Sequence, residues 1–325
     1  MAECMSPESW LSIIKKEYLQ DFIREGGAAV KCVVTVDGSA PLEIKSGLQR
    51  QAEETGFFFT TIDAAFIKIH LVEQIFYQVA KQVDWDAAVL SFLRCLLQDH
   101  YKLPQSQTEF TLEQIALLNG YEERDIRHAI NNRLRDALFL DYAMSQEFRI
   151  AMITLCRHQL DSAEVSDSLC LSIKGWLRGE LRLVSALKQA LIFQKIGRHN
   201  ARNMLLSLAH WLKLSGKNGL VLLLDISRYT MDKPKAPDGT FYYSTGAVLD
   251  CYEVLRQFID GTDESEYCFL AILAQSRFLD EGDRRSVHAY DALKLRIWDE
   301  VHDRIYINPL APLVRISCCQ STGVK

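Results

Sequence analysis

Residues Gly219 to Asp225 read GLVLLLD, five aliphatic side chains in a row with no polar interruption. A strand with one wet face alternates apolar with polar, so an unbroken run needs apolar cover on both faces. That is the environment of a central strand in a parallel sheet with helices on each side. The run ends at Asp225, and an acid at the carboxyl end of such a strand lies at the rim where open α/β sheets bind ligands. An ordinary strand closed by a turn-forming Asp fits the same run.

A chain of 325 residues, 48% hydrophobic and 24% charged, can bury a sizeable core. It is long enough for one large α/β domain with an insertion, or for two domains. The net charge of −5 gives no overall attraction to nucleic acid or to an anionic membrane. The nine cysteines form no C-x-x-C pair, and the vicinal Cys318 and Cys319 are the only close two. This usage suits reduced thiols in a cytoplasmic protein. Met1 to Trp10 carries acids and no apolar core, so no signal peptide is expected there. No apolar run reaches membrane-spanning length.

Ser6 to Arg24 has the spacing of an amphipathic helix, stopped by Gly26 and Gly27. A strand follows over Val30 to Val36, then a loop from Asp37 to Leu42, then a helix from Glu43 to Glu54. Strand, Gly-containing loop and helix form the layout of a phosphate-binding P-loop. That chemistry needs a Lys for the phosphates and a Ser or Thr for magnesium. Gly38 and Ser39 fit such a loop, but Thr35 and Ala40 replace its glycines, Pro41 its Lys and Leu42 its Ser/Thr. Pro41 also lacks an N–H. A weak nucleotide cradle and a vestigial loop that binds no triphosphate are the two readings. Gly56 to Asp63 is a second strand, and Ala65 to Val83 a helix with Phe66 and Ile69 on one face and His70 as a packed or surface residue.

From Asp84 to His210 only helical patterns occur, including Glu123 to Leu138 and Leu181 to Phe193. We therefore expect residues 1–84 and 205–325 to form an α/β core and residues 85–204 a helical insertion. Two features of the insertion point to partners. Ala116, Gly120 and Ile126 have helix-turn-helix spacing, and the second helix carries Arg124, Arg127, His128 and Arg133, which suit DNA phosphates and base edges. A helical hairpin with no DNA role matches the same pattern. Lys174 to Arg202 holds seven basic residues, among them Arg198 and Arg202, against the single acid Glu180. This stretch suits nucleic acid, nucleotide phosphates across a subunit boundary or an acidic partner; a solvated helix face is the alternative.

After Asp225 stands Ile226, where a hydrolytic ATPase with an additional central strand carries a water-activating Glu. Tyr267 to Ala274 is another fully apolar strand, and Gln275 at its end is the candidate phosphate sensor. Ala289 to Val301 reads as a helix bearing Arg296, a candidate catalytic cation. Pro312 to Ile316 is the last strand, and the sequence runs nine residues further, with no helical lid expected.

Four stretches are more specific: Gly175 to Glu180; Gly197 to Ala209, running on to Asp225; Tyr252 to Asp260; and Ala289 to Val301 with Asn308 to Leu310 and Leu313 to Arg315. Together they resemble the BREX-type ATP-binding proteins, the BrxC/BrxD-like P-loop family of bacterial phage-defence islands. The resemblance covers most of the chain. It implies an AAA-like P-loop fold, other defence-system subunits as partners in a homo- or hetero-oligomer, and ATP with magnesium as ligand. By the same resemblance Asp225 matches the Walker B magnesium residue, and Gly38 and Ser39 match part of the Walker A loop. Pro41, Leu42 and Ile226 stand where phosphate neutralisation and water activation belong, each of which is worth several kcal/mol. The expected function is thus a hydrolysis-deficient structural or regulatory subunit of an anti-phage complex. The alternatives are an ATPase completed by a partner's Lys or Arg, and a DNA-binding adaptor.

Overall fold

The apolar runs build one parallel sheet. The computed structural model describes residues 4–104, 110–233, 238–298 and 308–318. In chain order, α1 (Pro7–Ile13) continues into a π-helical stretch (Ile14–Phe22), followed by β1 (Ala28–Thr35), α2 (Ala40–Glu54) and β2 (Phe58–Asp63). Then come α3 (Val72–Gln82), α4 (Trp85–Leu97), α5 (Leu112–Asn119), α6 (Glu123–Leu134), α7 (Gln146–Leu160), α8 (Asp167–Leu177) and α9 (Ala201–Leu214). The chain returns through β3 (Leu220–Asp225), α10 (Ser227–Thr230), α11 (Thr245–Asp260), β4 (Cys268–Gln275), α12 (Asp291–Ile297) and β5 (Leu313–Ile316).

Two compact units result: residues 1–75 with 218–325, and residues 76–217. The first holds the sheet, in strand order β2-β3-β4-β1-β5 with every pair parallel. β4, late in sequence, lies between β1 and β3. Leu220 to Leu224 are all fully buried, as the unbroken apolar run requires. Each such side chain contributes roughly 1.5–3 kcal/mol by burial. On one face, Val33, Val221 and Phe269 join Trp10 and Ile14 of the N-terminal helix and Ile44 and Leu48 of α2. The alternate residues Val34, Leu222 and Ile272 are buried on the other face, and α11 packs there with Cys251, Tyr252 and Leu255. Gly219 starts β3 at φ +128°, and a Cβ there would lie 2.1 Å from the Tyr267 carbonyl oxygen. Only glycine fits that close approach.

The second unit is helical and, among the described residues, contains no strand. α4 packs on α7 and α9, α7 on α8, and α5 on α6. α6 continues as a π-helical stretch (Arg135–Phe139). The division at 217/218 places α9 in this unit, whereas the sequence boundary was drawn at 204/205.

Three helices are shorter than their spacing suggests. The segment expected as helix from Ala65 forms turns until α3 begins at Val72, and Phe66 is 63% exposed. Side chains from elsewhere hold these turns. Asp63 Oδ1 accepts from the Ala65 N–H at 2.7 Å, and the Tyr243 hydroxyl donates to the carbonyls of Ala64 (2.5 Å) and Ile67 (3.1 Å). His70 is packed, as one reading had it: its N–H donates to the Tyr229 hydroxyl at 2.9 Å. The Leu181 to Phe193 helix reduces to a 3-10 stretch (Val184–Ala190). There Leu191 adopts φ +57°, and the Trp176 indole N–H and Tyr77 hydroxyl bond the carbonyls of Gln194 (3.0 Å) and Ile196 (2.6 Å), drawing the chain out straight. α12 starts at Asp291 rather than Ala289; its expected extension from Asp299 to Val301 lies outside the described residues, as does Cys319.

Candidate functional site at the carboxyl edge of the sheet

The carboxyl ends of β1, β2, β3 and β4 meet along one rim. β1 delivers the chain into the loop that opens α2, and Pro41 sits in the first turn of that helix, where a missing N–H costs nothing. The exposed N–H groups of such a turn attract an anion. Here Asp37 supplies it. Its Oδ1 accepts from the N–H groups of Ser39 (3.2 Å) and Ala40 (2.9 Å) and from the Ser39 hydroxyl (3.1 Å). Its Oδ2 accepts from the Ser317 hydroxyl (2.9 Å) and the Cys318 N–H (2.5 Å), just beyond β5. Burial opposes ionisation, but the donors from Ala40, Ser317, Cys318 and Ser39 outweigh it and hold the Asp37 carboxyl far below the usual carboxylate range. Gly38 is exposed, and an added Cβ would meet nothing within 4 Å, so packing in this conformation does not demand a glycine.

Asp225 closes β3 and is half-buried, with its Oδ1 accepting from the Ser227 N–H at 3.0 Å. Its surroundings act in the opposite sense to those of Asp37. Burial raises its pKa, the Ser227 donors pull it back, Asp63 raises it further, and Lys45 of α2 favours the charged form. Asp63 is the register partner of Asp225 at the end of β2. Partial burial and a second acid beside it both favour the neutral form of Asp225. Among the described residues, no group of three or more His, Cys, Asp or Glu could hold a metal ion by itself. Ile226 is fully buried and offers no group to activate water. Gln275, half-buried at the end of β4, is in register with Thr35, the last residue of β1. Gln275, Asp225 and the Gly38–Ser39 loop therefore share the rim.

Arg296 does not join them. Its guanidinium is bound by the Asp260 carboxylate and by the Ala292 carbonyl at 2.6 Å. Asp260 ends α11, which leads into the amino end of β4, so this pair belongs to the opposite edge of the sheet. Three of the cations that follow β3 and β4 are engaged. Arg228 donates to the Tyr242 hydroxyl at 2.6 Å, and Arg277 binds Asp232 at 2.8 Å and also Asp283. Arg285 donates to the carbonyls of Tyr243 (2.8 Å), Tyr229 (3.3 Å) and Met231 (3.4 Å), holding the chain that follows Asp225.

Sequence reasoning had no role for Asp63, Lys45, Arg285 or Asp37. Asp63 carried the same signal as Asp225, an acid ending an apolar strand. In the helical unit, α5 ends in the left-handed Gly120 and turns into α6, as the helix-turn-helix spacing suggests. Arg127, however, is taken up by Glu123 (2.6 Å), Asp161 (2.8 Å) and Glu164 (3.1 Å). Arg133 is half-buried with its guanidinium 5.9 Å from the Tyr101 ring centre. Arg124 and Arg198 are exposed, and Arg202 is half-buried.

A parallel α/β sheet with a loop and helix after β1 and an acid ending β3 is compatible with a P-loop NTPase-like fold. The chain belongs to the BREX system ATP-binding protein BrxC/D family, whose model matches residues 21–322. No curated protein and no solved structure gives a significant match. Among the described residues, no helix is long and apolar enough to cross a membrane.

Proposed function

We propose that this chain is a hydrolysis-deficient P-loop-type protein, working in the cytoplasm as a structural or regulatory subunit beside other components of an anti-phage BREX complex. Family membership supports the defence role. The observation that carries the deficiency is the position of Asp37. The N–H donors that would meet a phosphate already hold this carboxylate, whose charge repels one. Pro41 brings no ammonium to the loop, and Ile226 takes no proton from water. The β1–α2 loop in this conformation does not fit a triphosphate. The rim at Asp225 fits a cation better, since burial and Asp63 both disfavour its bare charge.

The test is calorimetric titration of the purified chain with ATP and with a non-hydrolysable analogue, magnesium present, alongside a turnover assay. The wild type should show no turnover. Asp37→Ala should bind nucleotide more tightly than the wild type and still not turn it over. Sustained magnesium-dependent hydrolysis by the wild type, abolished in Asp225→Ala, would falsify the reading and favour an active ATPase.

A second reading, DNA contact by the helical unit, is favoured by the charge division. Residues 76–217 carry 18 Lys and Arg against 15 Asp and Glu, while the rest of the chain carries 19 against 27. Charge reversal at Arg124 and Arg198 should then weaken duplex binding and lower its salt dependence. Unchanged binding in both variants counts against it.

A further inference from the structure

We propose that a groove on the helical unit is the docking site for an acidic amphipathic segment of a partner protein. The groove encloses about 430 Å³ between the end of α6 with its π-helical extension, α7, and the 3-10 stretch before Leu191. It holds whether or not the β1–α2 loop binds nucleotide.

The floor is apolar and open. Ile150 and Ile153 of α7 are half-buried, Phe139 is 49% exposed and Leu191 is 66% exposed. Leu191 is the telling residue. Its φ of +57° lies in the left-handed region that disfavours leucine, and the structure holds it there without burying its side chain. An apolar side chain kept at the surface by strained backbone is accounted for if a partner covers it. The backbone at Phe139 is also held, because the Arg149 guanidinium binds its carbonyl.

Charge selects the occupant. Arg135 and Arg157 line the groove, and no carboxylate does. Arg135 has Asp136 beside it at 2.8 Å, on the exposed side. Arg157 is served less well. Its Nε is buried without a hydrogen-bond partner, and the Glu164 carboxylate is 3.9 Å away, beyond hydrogen-bond reach and already engaged with Arg127. A carboxylate brought by the occupant would complete Arg157 while leucine-like side chains cover Leu191 and Phe139. This is the helix-in-groove mode of recognition, read as apolar anchors at helical spacing with an acid on the flank. A nucleic-acid strand fits less well, because isoleucine and leucine give bases no stacking surface and Phe139 is the only aromatic ring in the lining.

The experiment is selection of a random-peptide phage library on the intact chain, followed by fluorescence anisotropy with the selected peptides. Enriched sequences should combine acids with Leu, Ile or Phe at helical spacing. Leu191→Asp and Arg157→Glu should each weaken binding roughly tenfold or more, and Arg124→Glu, outside the lining, should not. Because Leu191→Asp perturbs a strained position, Leu191→Gly is run beside it. Glycine relieves the backbone while removing the apolar anchor, so binding should fall although thermal stability does not. The proposal is overturned if no peptide is enriched, if enriched peptides lack acids, or if Leu191→Gly and Arg157→Gln bind like the wild type. It is also overturned if a single-stranded oligonucleotide binds and the same substitutions abolish it, or if light scattering shows that Leu191→Gly dissolves a dimer, making a second copy the occupant.

Discussion

The loops that follow β1 and β3 begin on either side of β4 at one sheet edge, yet they are held by opposite charges. After β1 an anion, Asp37, gathers N–H and O–H donors. After β3 a cation, Arg285, gathers carbonyl oxygens. The acid at each place differs accordingly. Asp37 is charged with its donors satisfied, while Asp225 is half-buried beside Asp63 and pays for its charge. An aspartate at a sheet edge is therefore not a ligand site by virtue of position. Donors around it make it a structural anion, and burial without enough donors disfavours its charge.

The sharpest way to break this comparison is Arg285→Ala. It leaves three carbonyls without their donor and should cost about 2 kcal/mol in denaturant unfolding, close to the cost of losing a hydrogen bond to a charged group. No loss would mean that the chain after β3 is held without Arg285, by contacts such as the stack of Tyr229 and Tyr243, whose ring centres lie 3.9 Å apart.

Asp37→Ala comes next, at about 1 kcal/mol, the usual cost of removing a capping anion from a helix start. Its pH dependence carries the sign. Asp37 ionises more readily in the folded chain than in the unfolded one. Its contribution is therefore complete above the unfolded-state range near pH 4 and is lost as pH falls below that. Stability measured against Asp37→Asn should converge with the wild type in acid and diverge toward neutrality. A constant gap across pH would show that shape, not charge, holds the loop.

The smallest effect, and the one of opposite sign, belongs to Asp225→Asn. A folded pKa raised by burial means that the unfolded chain gives up this proton more readily. The resulting destabilisation grows as pH rises from the unfolded pKa through the folded one. The amide should therefore raise Tm at pH 7 by roughly 1–3 °C, an increase that vanishes in acid. A lowered Tm would place Asp225 with Asp37 as a structural anion.

The centre of the sheet was legible in sequence because Leu220 to Leu224 and Cys268 to Ala274 are unbroken apolar runs of strand length, each ending at a polar residue. Asp225 and Gln275 were legible as strand ends for the same reason. The failures share a cause. Residues 65–71 and 191–193 fall within expected helices, but side chains distant in sequence bind the backbone in or just after them: Tyr243 in the first case, Tyr77 and Trp176 at Ile196 and Gln194 in the second. Asp37 was invisible as a functional group because two of its five donors come from Ser317 and Cys318, which no local pattern connects to it. Arg296 carried the right chemistry at the wrong edge, since a helix's place against a sheet is not written in its own residues.

The two oxygens of Asp37 face different parts of the chain, one the start of α2 and the other the residues after β5. Anything that expels this carboxylate from the helix start also takes an acceptor from the Ser317 hydroxyl and the Cys318 N–H. One side chain thus clasps the loop after β1 to the backbone leaving β5, and a reporter attached after β5 would register events at the start of α2.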